Sequence, residues 1–233
     1  MTALLSTTYF GPVQWYQKLY RHDHVLIEAC ESFVKQTYRN RCCIATAQGV
    51  QTLTVPVVHA DGGGQSALVG NLLLSDHGNW RHQHWQAITS AYGDSPFLEY
   101  YEDDLRPFFF EHRWERLLDF NEAIRSKMCE LLDISPSVSL THYYIKGDDD
   151  CIKRDDSCIN SNDSYTKNDD GAAHQQSQLS DFRYAIRPKQ PLPDADFQPR
   201  PYYQVFSSRH GFLPNLSILD LLLNMGPEAV FYL

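Results

Sequence analysis

The sequence predicts a single-domain α/β fold over residues 1–233, with a mixed sheet that starts with a βαβ unit and helices packed around it. Two observations predict it. An apolar run at 3–10, a helical stripe through about residue 21 and a second apolar run at Val25–Glu28 follow one another with short connections. Strand, helix and strand joined so closely make a parallel pair. Hydrophobic residues are 42% and aromatics 13% of 233 residues, enough for one substantial core. No internal repeat points to a solenoid.

The elements follow in order. Gly11-Pro12 ends the first strand, and Pro12 opens a helix, where its missing N–H costs nothing. Val13, Trp15, Tyr16, Leu19 and Tyr20 form that helix's apolar stripe. Cys42 to Thr46 and Val50 to Val58 read as a hairpin around Gln48-Gly49, with Pro56 marking an edge or an end. Residues 67–74 read as strand or extended chain. A helix runs from about Trp80 to Tyr92 and ends at Gly93. Residues 97–101 extend or begin a short helix. Trp114 to Leu132 carries apolar residues at helical spacing and is the longest helix. The stretch 146–180 is acidic with almost no large apolar residues, so it reads as a disordered insertion. Its Asn, Ser and Asp residues lack the glycine and final glutamate of an EF-hand loop. Prolines 188, 191, 193, 199 and 201 suggest an extended arm wrapping the domain. Residues 202–206 read as a strand. Ser217 caps a last helix, Ile218 to Met225, closed by Gly226-Pro227.

Charge narrows the partners. The net charge of −9 argues against wholesale binding to nucleic acid or to an anionic membrane. No apolar run approaches the roughly 20 residues of a bilayer span. The first residues lack the basic leader of a secretory signal. The six cysteines form no Cys-x-x-Cys pair, which suits a reducing cytoplasm. P-loop, dinucleotide-binding, zinc-protease and esterase motifs are absent.

Against this acidic background, Phe33 to Arg41 packs Lys35, Arg39 and Arg41 into nine residues. Guanidinium forks and an ammonium suit phosphate or carboxylate, so an anionic small molecule is the expected partner. The alternative is a solvated basic turn. Glu28, at the end of the second strand, stands where open α/β sheets place ligands. Trp80, His84, Ile88 and Tyr92 share one helix face, which offers His84 as a base or as a hydrogen-bonded core histidine. Asp76, His77, His82 and His84 are metal-ligand types. His82 and His84 point to different sides of a helix, however, so no metal site is assigned. Cys30, Cys42 and Cys43 lie near the basic stretch, as thiolate nucleophiles or, more simply, as small core residues. No cofactor is legible.

Several runs together resemble the WbqC-like protein family. They are Tyr9 to Leu19, Glu28, Phe33 to Arg41, Leu53 to Val57, Asn79-Trp80 with His82 to His84, Tyr92 to Phe97, Phe120-Asn121, Pro201 to Phe206 and Phe212 to Leu222. The resemblance implies a bacterial protein of O-antigen and related lipopolysaccharide gene clusters, acting on an activated sugar. Many members carry a His-Gln-Pro triplet after the first strand. This chain has Thr7-Thr8-Tyr9 there, so the resemblance supplies no N-terminal catalytic histidine. Lys35, Asn40, Arg41 and His84 match family positions.

The expected activity is therefore group transfer on a nucleotide-linked sugar. Lys35, Arg39 and Arg41 would hold phosphate, while Gln14 and Asn40 bind the ligand. Trp15, Trp80 and Tyr92 would line its rings, and His84, Glu28 and Tyr9 are the candidate catalytic groups. The alternative is a non-catalytic scaffold partner of a polysaccharide enzyme. A nucleotidyl-transfer fold is a weaker reading, because the paired histidines that it needs on the first helix are missing.

Overall fold

The computed structural model describes residues 1–59, 67–146 and 179–233. Along the chain run β1 (Thr2–Ser6), α1 (Val13–Arg21), β2 (His24–Glu28), β3 (Arg41–Thr46), β4 (Gly49–Thr54), β5 (Val57–His59), β6 (Leu72–Leu74) and α2 (Trp80–Tyr92). There follow α3 (Leu98–Leu105), α4 (Pro107–Phe110), α5 (Leu117–Leu131), β7 (Val138–Leu140), β8 (Leu179–Asp181), α6 (Ser207–His210) and α7 (Ile218–Met225). Short 3-10 segments cover Val69–Asn71 and Gly226–Tyr232.

The expected βαβ unit is present. β1 and β2 pair in parallel from Thr2↔His24 to Ser6↔Glu28, with α1 between them. β7 joins β2 and β8 joins β1, both in parallel, giving one four-stranded sheet ordered β7-β2-β1-β8. Antiparallel pairing occurs in two separate ribbons, β3-β4 and β5-β6. Ala3, Leu4 and Leu5 of β1 are fully buried, as a parallel strand covered on both faces must be.

Several boundaries differ from the sequence reading. β1 stops at Ser6 rather than continuing to residue 10, because the chain must turn two aromatics into the core. Phe10 takes a left-handed φ of 41° and stacks on Phe109 at 6.0 Å, while Tyr9 lies near Phe120 at 5.9 Å. The long second arm of the hairpin divides around Pro56, which cannot donate to a ladder. Residues 49–54 pair with β3, and 57–59 pair with β6 instead. Residues 202–206 form no strand. Gln204 uses its side-chain amide, donating to Leu213 O and accepting from Leu213 N, in place of a backbone ladder.

The expected insertion at 146–180 lies outside the described residues except at its ends. Lys146 is described, and Leu179 and Ser180 open β8.

Candidate functional site

The strand order places a ligand site before any side chain is considered. From β1 the chain runs through β2 to β7 on one side, whereas β8 joins on the other. Crevices at the carboxyl ends of parallel strands, where the order reverses, are the usual ligand sites of such sheets. A cavity of about 770 Å³ lies there, within the range of ligand pockets. Residues following β2 (Cys30, Glu31, Ser32, then Val34 to Thr37 and Arg39) line it with Tyr144 and Lys146 after β7 and residues 183, 184, 187, 189 and 190 after β8.

Its charge is strongly biased. Six cations (Lys35, Arg39, Lys146, Arg183, Arg187 and Lys189) face one carboxylate, Glu31. Two of the cations are held by neighbours. Arg39 makes a bidentate pair with Glu31, with Nε at 2.7 Å, and donates to Ser6 Oγ at 2.9 Å. Arg183 is gripped by Asp181 at 2.6 Å and lies 3.6 Å from Glu28. The other four make no ion pair among the described residues. Lys189 donates to Gln36 at 2.9 Å, and Arg187 lies over the Tyr184 ring at 4.4 Å.

Glu28 is fully buried and does not line the cavity, although Arg183, which does, lies 3.6 Å away. It accepts from Thr141 Oγ1 at 2.6 Å, from the Cys30 N–H at 3.0 Å and from the Ile145 N–H at 2.9 Å. One carboxylate thus ties together the exits of β2 and β7, with Arg183 beyond β8 beside it.

The usual phosphate cradle of such folds, the N-terminus of the helix after the first strand, is closed here. The Val13 N–H donates to Leu216 O at 3.0 Å and the Gln14 N–H to Asn215 Oδ1 at 2.9 Å. Any anion bound at this edge is met by groups other than that helix terminus.

The structure brings Lys35 and Arg39 together in the cavity; Glu28 is not among its lining residues. The remaining sequence candidates lie elsewhere. His84 is buried and its Nδ1 is 2.9 Å from the Tyr9 hydroxyl, within the aromatic core. Burial pulls the His84 imidazole down to about 4, and a backbone hydrogen bond to Thr54 offsets only part of this. Burial also pushes the Tyr9 phenol well above its ordinary value. Gln14 bonds Asp194 and Asn215, and Trp15 donates to Ser6 O. Asn40 exchanges hydrogen bonds with the Val55 backbone. Arg41 begins β3 and does not line the cavity. Tyr92 donates to Asp220 at 3.0 Å. Trp80 donates to Ser75 O and lines a different, smaller hollow.

The cations after β8 went unnoticed in the sequence. Arg183, Arg187 and Lys189 put three cations in seven residues, the same density that singled out 35–41. That signal was present, but only the β1–β8 pairing sets the two islands face to face.

The profile of the WbqC-like protein family matches residues 7–232, both walls of the cavity included. The chain belongs to the WbqC-like protein family. This WbqC-like chain is also similar to an uncharacterized protein of Mycobacterium tuberculosis, Rv1507c. The two are 26% identical over 232 residues, which is 99% of this chain and 96% of the mycobacterial one. No solved structure matches. No helix among the described residues is long and apolar enough to cross a membrane.

Proposed function

We propose that this WbqC-like protein is a cytoplasmic enzyme of bacterial surface polysaccharide (O-antigen) biosynthesis that binds a nucleotide-linked sugar and transfers a group on it. One observation carries the reading: a roomy cavity at the reversal of the parallel sheet, ringed by Lys35, Lys146, Arg187 and Lys189 without carboxylate partners among the described residues. Two linked phosphates present the compact, multiple negative charge that such a ring suits. The Glu31–Arg39 pair on the cavity wall offers an acceptor and donors to sugar hydroxyls. Tyr144 and Tyr184 give it aromatic walls for a base or a sugar ring. A small anion is favoured over nucleic acid because the chain as a whole carries a net charge of −9.

The test is calorimetric titration with a panel of nucleotide-linked sugars. At least one binds, and Lys35→Ala and Arg187→Ala each weaken it by about tenfold, since each removes one charge-assisted contact. Affinity falls as salt rises. Absence of binding by every member, or binding indifferent to both substitutions, sinks the reading. A stoichiometric protein partner recovered alongside such indifference points instead to the scaffold alternative.

A further inference from the structure

We infer that the cavity also selects the sugar: it takes an uncharged, hydroxyl-bearing one and rejects an acidic one, with Glu31 as the residue that discriminates. This rests on the reading of the cavity as a site for a nucleotide-linked sugar and adds the class of sugar to it.

The charges of the cavity fall into two layers. Lys35, Lys146 and Lys189 are exposed and Arg187 is half-buried. None of these four has a carboxylate partner among the described residues, so they make a cationic rim. Arg39, Arg183 and Glu31 line the same cavity but are only 7%, 4% and 5% exposed, which makes them its floor.

The floor is not cationic. Arg39 is forked onto Glu31, through Nε at 2.7 Å and through Nη2. Arg183 is forked onto Asp181, with Nη2 at 2.6 Å, and its Nη1 lies 3.6 Å from Glu28. Two guanidiniums are thus answered by three carboxylates, of which Glu31 alone lines the cavity. A carboxylate entering this floor gives up its hydration beside Glu31 and finds both guanidiniums already matched. A hydroxyl gives up far less. It can donate to Glu31 Oε1, which among the described residues takes one hydrogen bond, from Arg39 Nε, where a carboxylate oxygen accepts about two. The rim attracts negative charge and the floor repels it, so the phosphates stay outward and the sugar goes inward.

This selectivity runs against the overall charge of the cavity. Six lining cations against one lining carboxylate would make an acidic sugar, with its additional charge, the tighter ligand.

Calorimetric titration of the full chain with two matched pairs tests the inference: UDP-glucose with UDP-glucuronate, and GDP-mannose with GDP-mannuronate. Within a pair the uronate should bind about tenfold more weakly. Lys35→Ala should weaken both members alike, because the rim holds only the phosphates. Glu31→Gln removes the repelling charge and should narrow the gap to less than about threefold. A uronate that binds as tightly as its hexose, or a gap that survives Glu31→Gln unchanged, overturns the inference. Hexose binding that still responds to Lys35→Ala would in that case leave the nucleotide-sugar reading standing. Binding by neither member of either pair overturns both. The wild-type comparison decides the matter where Glu31→Gln fails to fold.

Discussion

Lys35 and His84 both came from the sequence as candidate site residues, and their surroundings give them opposite chemistry. Lys35 is exposed at the cavity wall and keeps its charge available. His84 is 5% exposed, its ring is tilted against Tyr9, and its neighbours are Trp80 and the Tyr9 hydroxyl. The helical stripe of Trp80, His84, Ile88 and Tyr92 was legible, because spacing alone sets a helix face. Whether that face met a ligand or the core was not, because both demand the same pattern. The consequence is a pH dependence. The folded His84 titrates at about 4 against an ordinary 6.5, so between those values the unfolded chain binds a proton that the folded chain refuses. Its contribution to stability is complete above the ordinary value and is lost as pH falls toward the folded one, by about 3 kcal/mol. Urea unfolding at pH 7 and at about pH 4.5 measures this. The wild type should lose more stability on acidification than His84→Gln; parallel losses would show that other groups dominate.

At the scale of the element, α7 shows how much of a helix is written locally. Ser217, Gly226 and Pro227 marked its two ends, and the structure places α7 between them. Ser217 Oγ accepts from the Leu219 N–H at 3.3 Å. The same hydroxyl donates to Phe10 O at 2.7 Å, and the Ile218 N–H donates to Gly11 O at 2.8 Å. No local pattern announces that the helix start is sewn to the turn after β1. Gly226 is doubly constrained. Its φ is +56°, and a Cβ there would come within 2.5 Å of the Phe97 ring. Gly226→Ala should therefore cost about 2–4 kcal/mol, from left-handed backbone strain plus overpacking. Thermal unfolding checks it. A loss below about 1 kcal/mol would mean that Phe97 moves aside freely. The failed expectation of a strand at 202–206 has a matching cause. A strand exists only where a neighbour offers a ladder, and here the Gln204 amide supplied the two bonds that a neighbour would have made.

For the molecule as a whole, one buried carboxylate joins regions distant in sequence. Asp220 of α7 is fully buried and accepts from Tyr92 of α2 at 3.0 Å, Tyr202 at 2.7 Å and Gln204 at 2.8 Å. Tyr92 is also 3.4 Å from the Ala45 N–H of β3. Burial raises the Asp220 carboxyl above its ordinary value, and the three donors only partly offset this. Asp220→Ala leaves those donors without an acceptor in the core. The expected loss is about 3–5 kcal/mol by urea unfolding, the size seen when a buried polar network is broken. A loss under about 1 kcal/mol would mean that the hub is replaceable. The cavity is a product of the same scale. Lys35 and Arg39 stand on one wall and Arg183, Arg187 and Lys189 on another, brought together by the pairing of β8 with β1.

The sequence by itself determined the helices α1, α2, α5 and α7, where the first βαβ unit lies and that a basic island sits in an acidic chain. Each of these rests on spacing or composition within a few turns of chain. Only the tertiary structure decided that β8 lies beside β1, that Arg183 to Lys189 face Lys35, and that His84 and Tyr9 turn inward. Parallel pairing joins strands through long connections, and the residues of those connections carry no record of which edge the next strand will take.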